Sequence, residues 1–174
     1  CRMGVGGARK GPDADLRRKV ICDLGLTLGN LGNITDARQM LEQVINDPQS
    51  STQQVAECLT YRSAVAQAEG DAPAAIRYAH EGLERLRPTP NPSAATEGVM
   101  LGAIADAERF GGHIAAAEDY FRQSLLQFAR SGREYGPDAT VIRNNLALTY
   151  DATGNPKHAL QVFNEILDSA ARNQ

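Results

Sequence analysis

GNITDA (32–37), GDAPAA (70–75), GHIAAA (112–117) and GNPKHA (154–159) are four versions of one phrase. Each opens on a glycine and closes on an alanine five residues later: Ala37, Ala75, Ala117 and Ala159. The glycines stand 38, 42 and 42 residues apart. Self-similarity at a period of this size marks an array of stacked units. The glycine permits a tight turn, and the small residue after it lets two backbones approach. The phrase therefore describes a pair of helices, repeated along the chain.

The sequence on either side of each phrase carries helical stripes. Leu16, Val20, Cys22, Leu24, Leu28 and Leu31 predict a first helix ending at Gly32-Asn33. Thr35 is the expected N-cap of a second helix, with Ala37, Met40, Leu41, Val44 and Ile45 as its stripe and Asn46-Asp47-Pro48 as its stop. Ser51 and Gln54 form a capping box for a third helix running to Glu69. A fourth runs from the Gly70-Asp71 turn to about Arg87, with Pro73 in its first turn. PTPNPS (88–93) reads as a stiff loop. The fifth helix follows Ser93 to Phe110, and the sixth runs from about Ile114 to Ser131. The seventh spans about Asp138 to Thr153, and the eighth continues from Asn155-Pro156 to about Ala171. No stretch alternates with period two, so no sheet is expected.

The fold expected is all-α: four stacked helix pairs forming a right-handed superhelix with a concave and a convex face. The units fall at about 15–48, 51–88, 93–131 and 137–171, within a repeat domain at 15–174. Residues 1–14 are glycine-rich and basic and are expected to be a disordered lead-in or linker. A chain beginning on Cys1 rather than Met reads as a domain cut from a longer one.

The last unit, NNLALTYDATGNPKHALQVFNEIL (144–167), resembles the tetratricopeptide repeat. Leu146, Ala147 and Tyr150 stand at that family's first-helix positions, Gly154 at its turn, and Ala159 and Phe163 at its second-helix positions. The first unit matches through Leu24, Gly25, Leu28, Gly32, Ala37, Leu41 and Val44. The third has Glu108 where a large apolar residue is expected, and the second is nearly all small, with Ser63, Ala66, Ala75 and Ala79. The family's usual period is about 34 residues. The longer period here is similar to arrays in kinesin light chains and in the sensor regions of bacterial transcription regulators, as is the phrase GPDATVIRNNLALTY (136–150).

Composition limits the function. A net charge of −3 provides no basic footprint, so direct nucleic-acid binding is not expected. Arg17-Arg18-Lys19 reads as a solvated face. No apolar run reaches the length of a membrane span. Cys1, Cys22 and Cys58 are odd in number and lack metal or disulfide spacing. Cys22 and Cys58 are read as small buried apolar residues, which points to a reducing, cytoplasmic setting. His80, His113 and His158 lie on different units and are expected to be solvated or capping. Asp106 and Glu108 fall on different faces of one helix, so they make no acid–base pair. No catalytic group, metal site or cofactor is expected, and the chain is read as a non-enzyme.

The expected binding surface is the concave groove, lined by the first helix of each pair. In this register it offers Lys19, Asp23, Leu26 and Asn30, then Tyr61, Ala64 and Gln67. Ala103, Asp106 and Arg109 follow in the third unit, and Asn144, Asn145, Leu148 and Asp151 in the fourth. By resemblance, Asn145 stands where relatives hydrogen-bond a peptide backbone. The rest of the family's asparagine ladder is missing, with Asp23, Tyr61 and Ala103 at the equivalent positions, and so is its carboxylate clamp. The reading is a protein-interaction module that takes a partner's peptide or helix in its groove. One alternative is an effector-sensing or regulatory domain of a larger bacterial regulator or signalling protein. Another is a self-associating scaffold. The stripe Leu160, Val162, Phe163, Ile166 and Leu167 leaves an apolar patch suited to a homodimer through the C-terminal helix.

Overall fold

The turn glycines explain how the chain doubles back. At Gly32 the backbone takes φ +80°, the left-handed region that side chains disfavour. There the Asn33 N–H donates to the Leu28 carbonyl at 2.9 Å and the Gly32 N–H to the Gly29 carbonyl at 3.0 Å. This pair of bonds closes the helix end. It recurs at Gly70, Gly112 and Gly154, and also at Gly132, which the repeated phrase does not include.

The computed structural model describes residues 12–88 and 93–172. Among them are α1 (Pro12–Asn30), α2 (Ile34–Ile45), α3 (Thr52–Ala68), α4 (Ala72–Leu86), α5 (Ala94–Phe110), α6 (Ile114–Arg130), α7 (Pro137–Ala152) and α8 (Pro156–Arg172), with no strand. Consecutive helices pair as α1–α2, α3–α4, α5–α6 and α7–α8, and the first helices of successive pairs also touch. The result is a right-handed superhelix of four stacked pairs, its inner wall made by α1, α3, α5 and α7.

Helix starts follow local chemistry. The Ser51 hydroxyl accepts from the Gln54 N–H at 3.2 Å, and the Gln54 side chain returns a bond to the Ser51 N–H at 2.9 Å. The capping box is therefore formed. The Asp71 carboxylate accepts from the Ala74 N–H at 3.0 Å. Two starts differ from expectation. α2 is capped by Asn33 rather than Thr35, because the chain is already helical one residue after the turn. α1 begins at Pro12, with Asp13 and Asp15 in its first turn, so residues 12–14 belong to a helix and not to a lead-in. Proline and acidic residues suit that position. Residues 1–11 of the expected lead-in and 89–92 of the expected proline loop lie outside the described residues.

The four phrase alanines are buried at the contact between paired helices. Buried hydroxyls tighten these contacts further. Ser63 Oγ donates to the Ala75 carbonyl at 2.8 Å, and Ser124 Oγ to the Gly98 carbonyl at 2.7 Å. There is no spare volume at such a contact. Ala117→Leu and Ala159→Leu are each expected to destabilise the fold by about 1–3 kcal/mol, the cost of overpacking. Unchanged urea midpoints would show that these alanines do not sit at a close contact.

The junction between successive pairs also repeats. The residue twelve before each turn glycine packs on the residue ten before the preceding one. Cys58 meets Cys22, with their Cα atoms 5.5 Å apart in a disulfide. The Thr60 hydroxyl lies 2.8 Å from Met100 Sδ, and Ile142 fills the space over Gly102, where a β-carbon has no room. The disulfide corrects the expectation of two unpaired cysteines, and the inference of a reducing compartment falls with it. Residues 36 apart in sequence become neighbours because one repeat separates them. That relation is invisible to spacing rules made for small disulfide scaffolds.

Arg18 is a second correction. Within the run read as solvated it is buried, and its guanidinium reaches Asp47 at 2.7 Å, Gln49 at 3.1 Å and Asp15 at 3.2 Å. It ties α1 to the turn between α2 and α3. The backbone N–H of Gln49 and this guanidinium hold the Asp47 carboxyl below its ordinary pKa.

Candidate functional site

The inner wall encloses a cleft of about 390 Å³. Lys19 of α1, Glu57 and Tyr61 of α3, Val99 and Met100 of α5, and Asp138 of α7 line it, with Arg133 from the preceding loop. Apolar area and charges of both signs face one opening. Such a surface suits a polypeptide segment, whose side chains alternate in polarity, better than a small apolar ligand.

The residues expected in the groove divide into three groups. Lys19 and Tyr61 line the cleft. Asp23, Asp106, Arg109 and Asn145 are engaged in clasps between neighbouring first helices. The Tyr61 hydroxyl donates to Asp23 at 3.4 Å, and burial, then the charges of Asp23 and Glu57, raise the phenol's pKa. The Asn145 amide donates to both oxygens of Asp106 at 3.0 and 3.2 Å, and Arg109 lies 3.6 Å from the same carboxylate. The amide that resemblance assigns to a peptide backbone thus holds α7 to α5. The third group lies apart: Asn30 and Asp151 are exposed near helix ends, Gln67 is half-buried, and Asn144 lines a groove between α7 and α8.

Glu57, Val99, Met100, Arg133 and Asp138 were not foreseen as lining residues. A signal for two of them exists. Lys19, Glu57 and Val99 all stand thirteen residues before a turn glycine, so the period places them on one wall. Arg133 and Asp138 come from a loop and a helix start, which carry no such register.

Asp106 offers a test of the clasp's electrostatics. Desolvation raises its pKa above the ordinary 3.8, and Arg109 and Asn145 only partly offset this. A carboxyl whose folded pKa is raised favours folding fully below its unfolded value, and loses that contribution as pH rises through the folded value. At neutral pH the ionised Asp106 therefore costs stability. Asp106→Asn, which keeps an acceptor for Asn145, is expected to raise the urea midpoint at pH 7. The gain should vanish as pH falls below 3.8. An equal gain at both pH values would assign it to packing instead.

A polar cluster lies among α4, α5 and α6. Glu108 is buried, with Oε1 3.2 Å from His80 Nε2 and Oε2 2.7 Å from His113 Nδ1, and His80 stands edge-on to Tyr120 at 5.6 Å. Two of the histidines read as solvated or capping are thus partners of one carboxylate. This accounts for Glu108 at an apolar position. Among the described residues, no group of three or more His, Cys, Asp or Glu is placed to hold a metal ion. No helix there is long and apolar enough to cross a membrane.

Comparison with known proteins agrees with this geometry. Tetratricopeptide-repeat family models match residues 20–47 and 141–173, the first and last units. The chain carries tetratricopeptide repeats. Among solved structures, the array resembles a kinesin light chain candidate from Podosopora anserina built of nearly identical TPR-like repeats. The TM-score is 0.73 at 18% identity, over 95% of this chain and 79% of that one. A point variant of that protein matches at 0.72, also with 18% identity, over 90% and 76%. BtubC (BKLC) from P. vanneervenii gives 0.62 at 19% identity, over 87% of this chain and 57% of its own. At these identities the likeness is one of fold. No curated protein sequence matches the array at a significant level.

Proposed function

We propose that the tetratricopeptide array is a non-enzymatic interaction module that takes a peptide or helix of a partner protein in its concave cleft. The observation that carries this reading is the cleft, where Lys19 and Arg133, Glu57 and Asp138, and the apolar Val99 and Met100 share one opening. Tyr61 and Arg133 are the proposed anchors, since tyrosine and arginine are among the residues that dominate interface energies, and Lys19 adds a second positive charge to the opening. Asp106, Arg109 and Asn145 support the wall rather than contact the partner.

The test is a photo-crosslinker placed at Thr96, inside the cleft, and at Gln123, on an outer helix face. A partner should be captured from position 96 and not from 123. Capture should fall at least tenfold in a Lys19→Glu/Arg133→Glu variant, as two lost contacts of about 1 kcal/mol or more each would give. Both substitutions are on exposed residues, so the fold is retained. Capture from 123 alone, or capture unaffected by the charge reversals, would refute the cleft as the site.

A further inference from the structure

We propose that the array associates head to tail, with α1 of a second copy occupying the groove between α7 and α8. The argument continues the junction that joins the pairs inside the chain. There, an incoming first helix places Cys58, Met100 or Ile142 on Cys22, Thr60 or Gly102 of the helix before it. The same register on α7 reaches Asn144.

Asn144 sits in a groove of about 440 Å³ lined by Thr140, Val141, Asn144, Phe163, Ile166 and Leu167. Val141 is 57% exposed and Leu167 66%. Phe163 is the positional equivalent of Phe121, which is buried where α7 covers the preceding pair. The groove is therefore the receiving half of a junction that no described helix covers.

The incoming half is at the other end of the array. Counting twelve residues back from Gly32 gives Val20, on the outer face of α1. Val20 is 54% exposed, with Leu16 at 62% and Leu24 at 44% one turn to either side. Three aliphatic residues spaced by four form a stripe that fits a helix groove. Asp23, which would lie near Leu148, already accepts from Tyr61, so its carboxylate keeps a partner.

Such a contact is heterologous, since each copy uses a different face, and it leaves a free face at each end. Sedimentation velocity of the whole chain is expected to show mass rising beyond a dimer with concentration. Val20→Glu and Leu167→Glu alter exposed positions on opposite ends, so both should stay folded by circular dichroism, and each alone should sediment as a monomer. An equimolar mixture of the two should recover a dimer and stop there, because only one intact pair of faces remains. If wild type stays monomeric at its highest soluble concentration, the proposal is wrong. If Val20→Glu still dimerises while Leu167→Glu does not, two α8 helices pair with each other, and the head-to-tail contact is likewise refuted.

Discussion

Arg62→Ala is expected to lower folding stability by about 3 kcal/mol, the scale measured when one member of a buried ion pair is removed. Arg62 is buried in the α3 wall, where its Nη1 donates to Glu69 at 3.0 Å and its guanidinium lies 4.8 Å from the centre of the Tyr78 ring. Glu42 lies 4.0 Å from its Nε, which has no hydrogen-bond partner. The truncation removes the cation–π contact, opens a cavity and leaves Glu69 with Arg38 alone. The loss should depend on pH. Burial alone would raise the pKa of Glu69, but the hydrogen bonds and charges of Arg62 and Arg38 bring it below 4.5. A depressed carboxyl contributes stability above its unfolded pKa and loses it as pH falls through the folded value. The gap between wild type and Arg62→Ala, read from urea midpoints, should therefore narrow below pH 4.5. Arg62→Met/Glu69→Leu should recover much of the loss, since an apolar pair avoids the desolvation cost. A single variant as stable as wild type would show that the pair contributes nothing to the fold.

The periodicity of the sequence reached the architecture because one physical demand repeats. Each turn needs a residue that tolerates positive φ, and each helix contact needs a residue no larger than alanine. Gly32 and Ala37 meet those demands and so do their equivalents, and sequence comparison of the units exposes them. The capping box at Ser51 and Gln54 was legible for a similar reason, since both partners lie within one turn. What the sequence left hidden are polar contacts between elements far apart in the chain. Arg18 reaches Asp47, Glu108 reaches His80, and Asn145 reaches Asp106 across 29, 28 and 39 residues. Each is a polar residue whose partner comes from another element, the end of the paired helix for Arg18 and a neighbouring pair for Glu108 and Asn145. For the same reason the groove positions were located by register while their availability was not. Asn145 stands on the predicted wall, but its amide is occupied by Asp106.

Breaking the Cys22–Cys58 disulfide is expected to cost about 2–4 kcal/mol, because it closes a loop of some 36 residues in the unfolded chain. The Cα separation of 5.5 Å lies within the span a disulfide bridges without backbone movement. The effect should be local as well as global. In a stacked array each unit is held only by its neighbours, so the first pair depends on a single junction. Elsewhere that junction relies on Met100 at Thr60 and on Ile142 over Gly102, whereas here two small sulfur-bearing side chains stand in their place. Without the bond, α1 keeps its packing on α3, where Val65 lies against Gly29, and two exposed hydrogen bonds, Tyr61 to Asp23 and the Gln54 amide to the Asp15 carbonyl. Hydrogen exchange should therefore rise first in α1 and α2 on reduction or in Cys22→Ser/Cys58→Ser, while α5 to α8 keep their protection. Because α1 carries Lys19 on the cleft and Val20 on the outer face, the same change should weaken both proposed contacts together. Mass spectrometry of unreduced, alkylated protein gives the direct check. Alkylation of both Cys22 and Cys58 before any reductant is added, together with a urea midpoint indifferent to reductant, would show that the bond is absent and that packing alone holds the first repeat.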